Sequence, residues 1–195
     1  MNVTWIKSFR TLLAAALLAG LAAITHAADP TALQLIKEGN RYVGEESKDK
    51  VTQIRSEKSV GSLTPNVWFV VFYDPDARMK ATEVKFGGGQ KLDVVRPFRL
   101  FERANNFSAM DRTKVKIDSD EALKIAQKEG MVQNIKLTNS KLVLEKGEEG
   151  LPVWKVHLWA EKARDSSRTV EIGHFVLNAE DGKVIRRDIH VDRID

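Results

Sequence analysis

The sequence predicts an α+β fold built of two tandem units, each one helix packed on a small antiparallel β-sheet. Two observations carry this. The order capped helix, strand, Trp-led strand, hairpin occurs twice along the chain. The strand segments are either alternating in polarity or dense in β-branched and aromatic residues, as sheet strands are. The chain has 195 residues, 43% of them hydrophobic, and no cysteine, so its core must hold by burial without disulfides. A chain of this length can bury enough surface to do so.

Residues 1–27 read as a cleavable export signal. Lys7 and Arg10 precede an apolar and small-residue run from Leu12 to Ile24, and Thr25 and Ala27 are small residues at the positions before a cut between Ala27 and Ala28. These are the three parts of a secretory signal. The run is shorter than the roughly 20 apolar residues a spanning helix needs. Without a cysteine to acylate or an arginine pair, the general secretory route is expected. Losing the signal removes two of the net +4 charges. The remaining balance argues against nucleic acid, which calls for a concentrated basic face.

The first unit is expected over residues 28–96. Asp29-Pro30 reads as a helix start, with Asp at the N-cap and Pro at the first turn. Leu33, Ile36, Tyr42 and Val43 follow at near-helical spacing up to Gly44. Val51 to Arg55 alternates like a strand. Val67 to Tyr73 is a strong strand, broken by Asp74-Pro75-Asp76. Ala81 to Phe86 and Lys91 to Arg96 form a hairpin turned by Gly87-Gly88-Gly89. Residues 97–117 join the units, and Phe98, Leu100, Phe101 and Phe107 suggest that this segment packs.

The second unit is expected over residues 118–195. Asp118 with Glu121 resembles a capping box, and Gly130 is placed to close the helix. Ile135 to Glu145 and Val153 to Trp159 read as strands, Arg164 to Arg168 as a charged loop. Val170 to Leu177 and Val184 to Val191 form a hairpin around Asp181-Gly182, which supplies the positive φ such turns require. Trp68 and Trp154 take equivalent places in the two units.

The helix, the strand, the Trp154-Lys155-Val156 strand, the charged loop and the hairpin ending in Asp181-Gly182-Lys183-Val184 together resemble the PepSY domain family. Ser119 to about His190 carries the clearer match. Thr31 to about Arg96 is a divergent one, with Gly-Gly-Gly in place of an acidic-Gly turn. The resemblance implies a non-catalytic binding role, with peptidases as the partners the family is proposed to bind or restrain. It brings no catalytic residue to carry over.

The residues themselves point to little chemistry. His157, His174 and His190 fall on three predicted strands, but alternation groups His174 with Val170, Ile172 and Val176, and His157 with Lys155 and Trp159. They read as unrelated sheet histidines, not metal ligands. No Gly-x-Ser-x-Gly elbow occurs, the carboxylates at Asp74, Asp76, Glu148 and Glu149 suit turns, and a strand follows the triglycine where a phosphate loop needs a helix. No enzyme, cofactor or metal is expected. The strand at Val67 is apolar on both faces and must be covered twice, by its helix and by mutual packing of the two units. A partner surface at Lys155, His157 and Trp159 is the sharper alternative.

The expected function is an exported, non-catalytic binding protein of the periplasm or outside, with a protein or peptide partner such as a secreted peptidase, and contact with membrane only during export. The alternatives are a self-associating envelope protein and a small-ligand or metal carrier.

Overall fold

The computed structural model describes residues 29–96 and 108–195. The export signal, its cleavage site at Ala27 and Ala28, and the linker aromatics from Phe98 to Phe107 lie outside the described residues. The first half runs α1 (Ala32–Gly39), β1 (Val51–Ser56), β2 (Val67–Tyr73), β3 (Ala81–Gly87) and β4 (Gln90–Val95). The second runs α2 (Ser119–Lys128), β5 (Leu137–Lys146), β6 (Pro152–Lys162), β7 (Asp165–Asn178) and β8 (Val184–Ile189).

The expected pair of small sheets is corrected by the topology. All eight strands form one antiparallel sheet in the order β4-β3-β2-β1-β5-β6-β7-β8. Each half is a four-stranded meander. The two first strands meet in the middle, pairing Gln53 with Glu145, Ile54 with Leu144 and Arg55 with Val143. An unpaired strand edge leaves a row of amides and carbonyls without partners. Joining β1 to β5 removes both inner edges, so the halves fuse edge to edge instead of stacking.

The register sets the two faces. One row crosses all eight strands as Val94, Val84, Val70, Ile54, Leu144, Trp154, Leu177 and Val184. Its six inner members are wholly buried. Both helices pack on this side. Gly39 of α1 comes so close to β2 that a Cβ there would sit 2.8 Å from the Phe72 ring. Ala122, Leu123 and Ala126 of α2 join the same apolar cluster as Leu35 and Ile36 of α1. Trp68 and Trp154 both face it, and their indole N–H groups donate to the carbonyls of Pro65 and Ile117 at 3.1 and 2.9 Å.

One residue along each strand, and two along β8 where the register shifts, the next row reads Asp93, Lys85, Phe69, Arg55, Val143, Lys155, Val176 and Arg186. Among the described residues this face carries no helix. On this second apolar face of β2 Val71 is buried and Phe69 is partly exposed, with no helix of the described residues over them. Phe69 lies between cations instead, with the Arg55 guanidinium 4.5 Å and the Lys85 ammonium 5.0 Å from its ring centre. The charged heads themselves lie over the ring, an attraction between cation and π-face.

Local expectations are adjusted as well. α1 starts after Thr31, not Asp29, and the Gln34 side chain accepts from the Thr31 amide at 3.0 Å. It stops at Gly39, where Phe72 presses on it, and a 3-10 turn covers Asn40–Tyr42. α2 ends at Lys128 with an extended Glu129, one residue before Gly130. The charged segment 164–168 is mostly strand, because β7 begins at Asp165 directly after the turn at Ala163 and Arg164. β8 ends at Ile189, so His190 lies beyond it.

Candidate partner-binding face

Lys155, His157 and Trp159 are alternate residues of β6. Trp154, Val156, Leu158 and Ala160 between and beside them are wholly buried on the helix side. Period-two alternation therefore puts the three on the open face, all partly exposed.

Each of the three is held by neighbours. The Lys155 ammonium sits 2.5 Å from Glu145, which also accepts from the Gln53 amide at 3.0 Å. Trp159 has the Lys58 ammonium 4.8 Å from its ring centre, an attraction between cation and π-face. His157 stacks on His174 with ring centres 4.9 Å apart and planes at 24°, and lies 6.4 Å from the Trp159 ring. Trp159, His157 and His174 thus make a continuous aromatic strip on β6 and β7.

The histidines are not unrelated, as alternation along β7 had suggested. His157 and His174 are direct partners in the ladder, and His174 in turn pairs with Asp188. A bulge causes the difference. Leu158 pairs with Gly173 and Trp159 with Glu171, leaving Ile172 as the extra residue. Ile172 turns into the core, where it is wholly buried, and Glu171 comes to the open face. Its Oε1 lies 3.0 Å from His157 Nδ1. Beyond it, Asp188 reaches His174 Nδ1 at 3.6 Å and His190 Nε2 at 3.0 Å. Gly173 within a strand was the available signal, since glycine there often marks a bulge. Among the described residues no group of three or more histidine or carboxylate side chains is arranged to hold a metal ion.

Toward the first half, the face continues as ion pairs. Arg55 reaches Glu83 at 2.6 Å, with both side chains largely buried, and Lys85 reaches Glu57 at 2.9 Å. Cations and carboxylates alternate, so the surface is polar and mixed in charge.

A hollow of about 340 Å³ lies elsewhere, lined in part by Tyr42, Asp74, Thr82, Val95 and Arg96. Asp74, a turn residue by sequence, is 4% exposed. It accepts from the Asp76 amide at 2.9 Å, the Thr82 hydroxyl at 2.5 Å and Arg96 Nε at 3.0 Å. Its lone pairs are satisfied within the fold.

Among the described residues no helix is long and apolar enough to cross a membrane. No family model, no curated protein and no solved structure matches the chain.

Proposed function

We propose that this is an exported, non-catalytic binding protein that takes a secreted peptidase on the open face of its sheet, centred on Lys155, His157 and Trp159. One observation carries the reading. Both helices pack on the same side, and the opposite side presents a partly exposed aromatic strip beside alternating cations and carboxylates. A mixed-charge face of this kind complements a protein surface. It lacks the uniform positive charge that a phosphate backbone requires. Tryptophan, the residue at 159, is also among the types that most often carry binding energy at protein interfaces. The export signal and the likeness of the repeats to PepSY domains support a peptidase as partner.

The test is capture by the mature protein from the exported fraction, followed by purification of the captured peptidase and measurement of its affinity. Trp159→Ala and Lys155→Glu are each expected to weaken that affinity at least about tenfold, the loss of one interface anchor. Trp159→Ala should shift unfolding by no more than about 1 kcal/mol, as surface substitutions do. Trp154→Ala, which empties the core, should cost about 3–5 kcal/mol. Peptidase binding that neither open-face variant alters would place the partner elsewhere.

A second reading has its own observation. β4 is an edge strand exposed along its whole length, with Leu92 56% exposed. Such an edge can pair with another copy of the chain. Sedimentation would decide: a dimer that Leu92→Glu dissociates supports self-association, and a monomer at high concentration removes it.

A further inference from the structure

The stacked histidines are flanked by charge from every side. His157 and His174 oppose each other across β6 and β7, ring centres 4.9 Å apart. Lys141 of β5 pairs with His157 in the ladder, and Lys155 lies two residues along β6. From β7, Glu171 touches His157 at 3.0 Å. From β8, Asp188 faces His174 at 3.6 Å, and Arg186 stands in the adjacent open-face row. After β8, His190 holds the far oxygen of Asp188, and Arg193 donates to the Glu171 carbonyl at 3.3 Å. Lys58 lies over the neighbouring Trp159.

We infer that His157 and His174 form a two-proton switch that rearranges the open face on acidification. Neutral imidazoles stack as aromatic planes do. A first proton is accommodated, because Glu171 and Asp188 each stand beside one ring. A second puts two imidazolium ions face to face, with Arg186 and the Glu145-paired Lys155 adding to the repulsion that Glu171 and Asp188 oppose. The rings must then part, and the strip they form with Trp159 breaks. Burial, the neighbouring His157 and the cations Arg186 and Lys155 together hold the His174 imidazole below the ordinary histidine range, while Asp188 partly offsets them.

Combined with the proposed partner surface, on which this consequence rests, the switch gives a release mechanism. A partner covering the strip removes water from both rings and favours their neutral forms. Affinity then falls as the rings take up protons, by up to tenfold per pH unit for each proton.

The deciding experiment needs no partner. Histidine ring resonances of the mature protein are followed by NMR from about pH 8 to about pH 4.5, a range that spans the ordinary histidine value. The expected result is two separated steps sensed by both His157 and His174, with the ring-to-ring nuclear Overhauser effects vanishing at the lower one. The amides of Ile54 and Leu144 should stay unchanged, showing that the sheet is intact. His174→Gln should return His157 to a single step. Independent single steps at the ordinary value, or a stack that persists through the lower step, overturn the switch. Separated steps in a protein that captures no peptidase keep the switch and remove the release role, so the two readings fail separately.

Discussion

Asp118 accepts the backbone amide of Leu33 at 3.1 Å, so the residue that caps α2 also caps α1. The same oxygen takes the Ser119 amide at 2.7 Å, and the Ser119 hydroxyl accepts from the Ala32 amide at 3.0 Å. A helix start leaves four amides without intrahelical partners. Two of those on α1 are met by residues 85 and 87 positions further along the chain. The helices begin at one point over the sheet, and the cap ties the halves together there, as the β1–β5 pairing does below. A lone N-cap is worth about 1 kcal/mol. Asp118→Ala removes the acceptor from two helices at once and is expected to cost about 2–3 kcal/mol. Asp118→Asn, which keeps an acceptor, should lose less. Urea unfolding measures both, and a loss for Asp118→Ala no larger than a single cap would refute the shared role.

Gly173 holds the bulge that assembles the histidine pair. Its φ is +117°, and a Cβ there would lie 2.0 Å from the carbonyl oxygen of Asp188. No rotamer change relieves a clash with backbone. Gly173→Ala must therefore open the β7–β8 ladder or expel the bulge. Expelling it would send Glu171 toward the core and Ile172 to the open face. The expected cost is at least about 3 kcal/mol, in the tail reserved for named structural faults. Gly61→Ala is the control, because Gly61 also has a positive φ of +72° but open space around it. That change should cost only about 1–2 kcal/mol, the strain of the left-handed conformation. Thermal unfolding gives the ordering, and faster hydrogen exchange confined to β8 would locate the damage.

What the sequence reveals and what it hides divides by range. The strands that carry Trp68 and Trp154 were legible from their aromatic and β-branched content, and both indoles lie in the core under the helices. Lys155, His157 and Trp159 were legible as a face because β6 alternates from Trp154 to Ala160. The union of the halves was not. Ile54 and Leu144 meet across the seam, and nothing local to either residue announces a partner so far along the chain. The apolar second face of β2 suggested burial by the other unit, yet Phe69 is shielded by Arg55 and Lys85 from strands on both sides. Glu171 and His174 were hidden for a different reason. One extra residue at Ile172 inverts the alternation on which strand-face assignments rest.

Asp74 supplies the last prediction. Burial alone would raise its carboxyl pKa, but bonds from the Thr82 hydroxyl and the Asp76 amide, with the Arg96 charge, outweigh it and hold the group below the ordinary carboxylate value. A group with a lowered folded pKa favours the native state wherever it is ionised. That contribution is complete above the unfolded value of about 4 and is lost as pH falls through the folded value beneath it. Asp74→Asn keeps the shape and removes the charge-assisted bonds. It should be less stable than the parent at pH 7 by about 1–3 kcal/mol. On acidification the parent should lose that advantage from about pH 4 downward, and the two unfolding curves should converge. Thr82→Val, which deletes the nearest donor at 2.5 Å, should raise the folded value, so that its pH-dependent loss is smaller and is complete at a higher pH than in the parent. Melting temperatures of the three proteins at a series of acid pH values test this. Curves for parent and Asp74→Asn that stay parallel would show that the ionised carboxylate contributes nothing to the fold.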